Sequence, residues 1–166
     1  MADLQITLHT ESRSDAEAVE KLNERAFGPG RFVRSAERVR EASPTDLSVS
    51  FVARVATLLV GSVRQTPIRI GETPALMLGP LAVEPAFRSR GIGRLLMERA
   101  IQEAVQRGYG LILLVGDETY YGRLGFRRVT PGRITMPGPV DPMRVLLWAA
   151  DDAAFQAAMG PVRPSA

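Results

Sequence analysis

Two glycines separated by one residue stand between an apolar run and a long amphipathic segment. The apolar run ends before Pro85, Gly91 and Gly93 follow it, and arginines flank the two glycines on both sides. A helix that begins here leaves its first backbone N–H groups without partners, and its dipole places partial positive charge at that end. Because glycine has no Cβ, a bulky anion can approach this backbone closely. The stretch therefore predicts a cradle for phosphate groups.

The glycine pair by itself is weak evidence for a ligand. A P-loop requires Gly-Lys-Ser/Thr, which is absent here, and a dinucleotide-binding fingerprint requires a third glycine near position 96, where the chain has Leu96. On spacing alone, a phosphate site and a tight strand-to-helix turn are equally good interpretations.

The elements that would position the glycines follow from hydrophobic periodicity. Alternating apolar residues predict strands at 4–10, 47–55, 58–70 and 75–83. Helical spacing predicts helices at 14–27, with Ser14 at the start, and at 31–41 and 93–107, with Gly108 ending the last of them. The continuous aliphatic run at 111–115 is typical of a strand buried on both faces. Short turns indicate an antiparallel meander before the glycines, and a right-handed parallel crossover after them.

The remaining third of the chain is predicted as short elements. They are a helix at 119–124, a strand at 126–129, a loop at 130–142 with a brief extended piece, a last strand at 143–148 and a helix at 151–159 followed by a frayed tail.

Composition limits the class of protein. The 166 residues fit one domain, and 45% hydrophobic with 23% charged residues is ordinary for a soluble protein. The N-terminus does not resemble a signal peptide, and no apolar run reaches the roughly 18–20 residues of a membrane span, so we expect a cytoplasmic protein. Without cysteine, thiolate nucleophiles and cysteine metal sites are excluded.

The cationic residues are almost all arginine, since Lys21 is the only lysine among the 21. Arginine suits phosphate binding, so nucleic-acid binding is one possible function. We prefer genomic codon bias as the explanation of the arginine content.

Two motifs in the right order resemble those of one family. Arg88-x-x-Gly91-x-Gly93, preceded by Leu-x-Val-x-Pro, resembles the acyl-CoA signature of the GNAT superfamily of N-acyltransferases. Tyr121-x-x-x-Gly125-Phe126, after the next strand, resembles the second motif of that superfamily. The order of elements is similar over about residues 4–148. The resemblance implies an α/β (α+β) fold: a mixed central sheet of about seven strands with an antiparallel meander, splayed parallel strands and flanking helices, in one domain spanning 1–166.

The resemblance also implies a ligand and the residues that hold it. Acetyl-CoA would be the cosubstrate, with no metal, and its pyrophosphate would lie on the glycine turn while its pantetheine arm pairs with the strand before it. The predicted binding residues are Leu81, Ala82, Val83, Arg88, Ser89, Arg90, Gly91, Ile92, Gly93 and Arg94. Pro80 cannot donate a backbone hydrogen bond, which suits a sheet that opens between 75–83 and 110–115.

Two catalytic roles follow from the same resemblance. The N–H of Leu81 would stabilise the thioester oxygen, and Tyr121 would protonate the departing thiolate. A core tyrosine at a helix–strand junction is the alternative for Tyr121, and Tyr120 is a second candidate one residue away from the motif. The family often has Asn near position 117, where this chain has Asp117.

The predicted reaction moves acetyl to a primary amine of a small molecule or peptide. Because no cysteine can carry the acyl group, transfer would be direct within a ternary complex. We expect neither nucleic acid nor membrane as a partner, and homodimers are common in the family. A non-catalytic acyl-CoA sensor is the alternative function, and the second rival is the arginine-rich nucleic-acid binder.

Several polar residues keep more than one interpretation. The general base stays open among Glu24, Glu37, Glu84, Asp117 and Glu118. The arginines at 123, 127, 128 and 133 fit either a phosphate or anionic acceptor, or a solvated basic face. His9, the only histidine, is predicted to be a satisfied strand residue.

Overall fold

A computed structural model describes residues 5–27 and 44–165, so the helix expected at 31–41 lies outside the described residues. The strands in the described part are β1 Ile6–Thr10, β2 Phe51–Val55, β3 Leu58–Ile70, β4 Thr73–Val83, β5 Leu111–Val115, β6 Arg127–Arg128, β7 Ile134–Thr135, β8 Val145–Ala149 and β9 Gly160–Pro164. The α-helices there are α1 Ala16–Phe27, α2 Ile92–Gln106, α3 Glu118–Tyr121 and α4 Asp152–Ala157.

The sheet is mixed, as predicted. Its strand order is β1-β2-β3-β4-β5-β8-β6, and every neighbouring pair is antiparallel except β4 with β5. The parallel pairing of β4 with β5 is limited to Leu76 opposite Ile112 and Met77 opposite Leu113. Because β4 continues to Val83 without pairing to β5, the two strands part beyond Met77 and leave a gap in the middle of the sheet.

Helix α1 covers one face of the sheet near this gap. Its buried residues Val19 and Leu22 pack on Val52 and Ala82 of β2 and β4. The expected start at Ser14 is wrong by two residues: the N–H and the hydroxyl of Ser12 both donate to the Asp15 carboxylate, and a short 3₁₀ turn precedes the helix. The carboxylate thereby satisfies a backbone N–H group that the start of the helix would otherwise leave unpaired.

Helix α2 covers the other face and packs an apolar stripe against the sheet. Its stripe of Leu96, Met97, Ala100 and Ala104 is fully buried. Burial of a leucine-sized side chain contributes about 1.5–3 kcal/mol. The helix lies close to the strands because Gly61 of β3 has no side chain; a Cβ there would be 2.9 Å from the side chains of Ile92 and Leu96.

The C-terminal prediction was wrong in one respect. Residues 143–148 do not supply the last strand, because β9 follows α4 and pairs with both β3 and β7. Val162 of this strand is buried against the sheet, so the tail expected to be frayed is ordered as far as Pro164. Pro161 and Pro164 broke the alternating pattern in the sequence. Prolines are tolerated at the edge of a sheet, where N–H groups are not all needed.

Shorter elements also differ from their predicted bounds. Residues Leu47–Val49 form a 3₁₀ turn before β2, capped by the Asp46 carboxylate, where a continuous strand was expected. The predicted helix at 119–124 divides into α3 and a 3₁₀ turn at Gly122–Leu124. The brief extended piece predicted in the loop 130–142 is β7.

Candidate active site

The open edge of β4 presents two backbone donors. The register between β3 and β4 slips where Val63 lies opposite Leu81 and Gln65 opposite Leu78, so β4 has one extra residue there. At the end of the strand the N–H of Glu84 donates to the carbonyl of Val60 on β3, at 2.8 Å. Because successive N–H groups of a strand alternate in direction, the N–H groups of Leu81 and Val83 point away from β3, into the gap.

The glycine turn closes one end of the gap. After β4 a 3₁₀ turn at Pro85–Phe87 leads to Ser89, with φ of 66°, and to Gly91, with φ of 78°, at the start of α2. In the described part of the chain no side chain caps the first turn of α2. The N–H groups of its first residues therefore remain available to a ligand, in the direction where the helix dipole is positive.

A cavity of about 480 Å³ lies where the β4 edge, the glycine turn and α3 meet. It contains nine of the ten predicted binding residues and Tyr121. Its lining is Ala26, Phe27, Leu81, Ala82, Val83, Phe87, Arg88, Ser89, Gly91, Ile92, Gly93, Arg94, Tyr120 and Tyr121.

Arg90 and Ile92 differ from the other predicted residues. Arg90 is outside the lining, and its guanidinium lies over the Phe87 ring, 5.4 Å from the centroid. The side chain of Ile92 is buried in the core beneath α2, so this residue can offer a ligand only its backbone. Arg94 lies at the mouth and donates to Glu98 one turn later, at 2.8 Å.

Four lining residues were not predicted as binding residues. Ala26 and Phe27 end α1, Phe87 lies in the 3₁₀ turn, and Tyr120 precedes the motif tyrosine. A sequence signal existed only for Tyr120, as a neighbour of Tyr121. The other three are apolar residues whose part in a cavity depends on how α1 docks on β4.

Tyr121 is held by the turn that the second motif creates. The side chain of Asp117 caps α3 by accepting from the N–H of Thr119 at 3.1 Å, and the carbonyl of Asp117 accepts from the N–H of Tyr121. The ring lies against Gly116, where a Cβ would be 2.5 Å from a ring carbon. It makes an edge contact with Phe126, with 6.2 Å between centroids.

The environment of Tyr121 keeps its phenol neutral. The pKa of Tyr121 is raised to about 12, chiefly by burial and to a lesser extent by the neighbouring Tyr120 and Asp117, while Arg144 partly opposes the rise. A phenol in this state remains a hydrogen-bond donor over the whole range in which proteins are stable.

Three of the five candidate bases have carboxylates that already bind other groups of the protein. Glu84 accepts two hydrogen bonds from Arg25, the shorter at 2.6 Å, and Glu118 is paired with Arg128 at 3.1 Å. Asp117 serves as the cap described above. Glu24 is exposed, and Glu37 lies outside the described residues.

Three of the four arginines after the second motif hold the fold together. Arg127 lies over the Phe155 ring at 3.8 Å, and Arg128 pairs with Glu118. Arg133 donates to the carbonyls of Phe155 and Ala158 at the end of α4, each at 2.8 Å. None of the three lines the cavity. Arg123 is exposed, and His9 is an exposed strand residue within 3.0 Å of the Thr7 hydroxyl.

A partly buried ion cluster between β3 and α1 was not predicted. Arg64 of β3 donates to the Glu11 carboxylate from Nε and Nη2, and to Glu20 of α1 from Nη1 at 2.8 Å. The Glu11 side chain has no exposed surface. Burial lowers the pKa of Arg64, but the hydrogen bonds and charges of the two carboxylates outweigh burial and raise it. The cluster fixes α1 to the strand that neighbours β4.

Metal clusters and membrane-spanning helices are both absent from the described residues. No group of three or more potential metal ligands occurs in 5–27 and 44–165. No helix among those residues is long and apolar enough to span a membrane.

Comparison with known proteins defines the family. The acetyltransferase (GNAT) domain matches residues 46–128. The uncharacterized N-acetyltransferase YjhQ of Escherichia coli K12 is 30% identical over 124 residues, which cover 72% of this chain and 68% of that protein. This chain belongs to the GNAT family of acetyltransferases, so the predicted superfamily is confirmed, and membership indicates acyltransferase activity.

Solved structures agree on the fold. The GNAT family N-acetyltransferase YhbS of Escherichia coli, in complex with CoA, superposes with a TM-score of 0.81 at 22% identity, over 98% of this chain and 91% of that one. A GNAT family acetyltransferase of Brucella melitensis, in complex with acetyl-CoA, gives 0.62 at 26% identity, over 92% and 99%. The predicted fold is therefore confirmed.

Proposed function

We propose that this protein transfers acetyl from acetyl-CoA to a primary amine, by direct reaction in a ternary complex. The observation that carries the proposal is the gap between β4 and β5, which has backbone donors along one side, an uncapped helix start at one end and a neutral tyrosine near both. The Escherichia coli structure in complex with CoA and the Brucella melitensis structure in complex with acetyl-CoA support the choice of acyl donor.

The residues present fit coenzyme A. Its pyrophosphate would lie at the first turn of α2, because Gly91 and Gly93 leave the backbone accessible and Arg88 and Arg94 add positive charge. The two amides of the pantetheine arm would pair with Leu81 and Val83 as an added strand. A 480 Å³ cavity is within the usual range for a small-molecule site.

The thioester would then lie beside Leu81. Its N–H points into the gap and would donate to the carbonyl oxygen as negative charge develops there. The amine nitrogen forms a bond to the carbonyl carbon, the carbon–sulfur bond breaks, the nitrogen loses one proton and the sulfur gains one. A neutral amine and the thioester thus give a neutral amide and a free thiol, and no covalent acyl-enzyme is needed.

Tyr121 would donate to the leaving sulfur. A thiol ordinarily titrates near ~8.5, so complete transfer from a phenol of pKa about 12 is uphill by ~5 kcal/mol. We therefore assign Tyr121 a hydrogen bond to the developing thiolate, with full transfer only if its oxygen regains a proton in the same step. This assignment differs from the sequence-based expectation that Tyr121 protonates the departing thiolate.

Thiol release tests the proposal. Because the chain has no cysteine, a thiol reagent in the assay detects only CoA liberated from acetyl-CoA, across a panel of amines, polyamines and peptides. We expect Tyr121→Phe to lower kcat by about 10²–10³-fold while the Kd for CoA changes little. Tyr109→Phe is the matched control, because Tyr109 follows α2 at the end remote from the glycine turn and does not line the cavity.

The outcomes separate the alternatives. Release with one acceptor class and its loss in Tyr121→Phe support the proposal. CoA binding without release for any acceptor supports a sensor, and unchanged kcat in Tyr121→Phe removes that residue from the mechanism. A primary amine as the acceptor class and a cytoplasmic location stay predictions.

A further inference from the structure

Tyr120 reaches across the gap to the glycine turn. Its hydroxyl lies so close to α2 that a Cβ on Gly93 would be 2.8 Å from the phenolic oxygen. Tyr120 belongs to α3 and Gly93 is the second residue of α2. The two helices therefore approach each other across the cavity at this one side chain.

The neighbouring tyrosines point to different parts of the cavity. Their rings meet edge to face at 89°, with 4.8 Å between centroids. The ring of Tyr121 lies against Gly116 under α3, whereas the hydroxyl of Tyr120 lies over the first turn of α2. One tyrosine thus faces the inner part of the gap and the other faces the predicted phosphate cradle.

The Tyr120 hydroxyl is in a state to donate to an anion. The residue remains 43% exposed despite its size, and in the described part of the chain its hydroxyl forms no hydrogen bond. Burial raises the pKa of Tyr120, and the charge of Arg94 partly opposes that rise. The phenol therefore keeps its proton at neutral pH, beside a cation that attracts phosphate.

We propose that the Tyr120 hydroxyl donates a hydrogen bond to the pyrophosphate of the acyl donor, beside the N–H groups of the first turn of α2. This inference rests on the proposed function. The backbone N–H groups and the neighbouring phenol would bind the diphosphate together, so the site selects donors that carry a diphosphate over shorter acyl-pantetheine donors. Tyr120 is a positioning residue, since it contacts the part of the donor remote from the thioester.

Binding of truncated ligands tests this assignment. Calorimetric Kd values are compared for CoA, for dephospho-CoA, which lacks only the ribose phosphate, and for pantetheine, which lacks the diphosphate. A hydrogen bond to a charged acceptor predicts that Tyr120→Phe weakens CoA and dephospho-CoA by the same factor, about tenfold at this partly exposed position. Pantetheine binding is expected to stay unchanged. Tyr109→Phe again serves as the control.

Each other result has a defined meaning. Kd values within twofold of wild type for both nucleotides overturn the inference. A larger loss for CoA than for dephospho-CoA assigns Tyr120 to the ribose phosphate and overturns it as stated, and an equal loss for pantetheine assigns the ring to the arm. Failure of the wild-type protein itself to bind CoA contradicts the proposed function instead, so the two failures are distinguishable.

Discussion

Substitution of Gly93 by alanine separates ligand binding from folding. Gly93 is the second residue of α2 and, unlike Gly91, does not have a positive φ. Alanine is therefore compatible with its backbone, and it is the better helix former by up to ~1 kcal/mol. We expect the variant to be at least as stable as wild type, with a Tm about 1–3 °C higher for a domain of this size.

The added methyl group lies in the cavity. It would contact the side chains of Leu81 and Val83 at 3.8 Å, an ordinary distance, and would displace the Tyr120 hydroxyl from its position 2.8 Å away. Because that hydroxyl is the end of a partly exposed side chain, the displacement costs little for folding. For a diphosphate the effect is larger: one or two hydrogen bonds to a charged group are lost, at ~1.5–3 kcal/mol each before solvent screening.

The expected result is a Kd for CoA raised by about 10–100-fold, together with an unchanged or higher Tm. Calorimetry gives the first value and differential scanning fluorimetry the second. Gly110→Ala is the matched control, because a Cβ at Gly110 has nothing within 4 Å and that residue does not line the cavity. CoA binding within twofold of wild type in stable Gly93→Ala would refute the diphosphate cradle.

Two further predictions concern the ion pairs under α1. Arg64→Met leaves the unexposed Glu11 carboxylate without its main partner. We therefore expect the free energy of unfolding, measured in urea, to fall by about 3–5 kcal/mol. Adding Glu11→Gln should restore most of the lost stability, and if it does not, the buried charge is not the cause of the loss. Burial would raise the pKa of Asp15, but hydrogen bonds from Ser12 and the charge of Arg54 prevail and lower it. Asp15 therefore stabilises the fold above its unfolded pKa of about 3.9 and loses this effect as pH falls through the lower folded value. The stability difference between wild type and Asp15→Asn should shrink below pH 4, and a constant difference would contradict the pKa direction.

Much of the fold could be predicted because the long strands and helices have a clear hydrophobic periodicity in the sequence. The bounds of β3 and β5 agree with the alternating and continuous apolar runs, and α2 differs from its prediction by one residue at each end. The helix at α1 was predicted with the wrong capping residue, since Ser12 and Ser14 are both suitable caps and only the bond to Asp15 distinguishes them. Strand β9 was missed because its stability comes from β3 and β7, both distant in sequence.

The candidate site divides in the same way. Glycines at a strand-to-helix turn and the spacing of Tyr121 to Gly125-Phe126 are local features, and they were sufficient to indicate the family. The pairs Glu84 with Arg25 and Glu118 with Arg128 join residues 59 and 10 positions apart. No periodicity records such pairs, so the sequence left both carboxylates among the possible bases.

The sequence by itself determined the uncapped helix start, the glycines that leave it accessible and the type of residue available to donate a proton. These depend on backbone sterics and on spacing within a few residues. Only the tertiary structure decided that β4 parts from β5 after Met77, that the Leu81 N–H points into the opening, that burial raises the pKa of Tyr121 to about 12, and that Tyr120 reaches Gly93. Each of these depends on how strands and helices from separate parts of the chain pack, and on the water that the packing excludes.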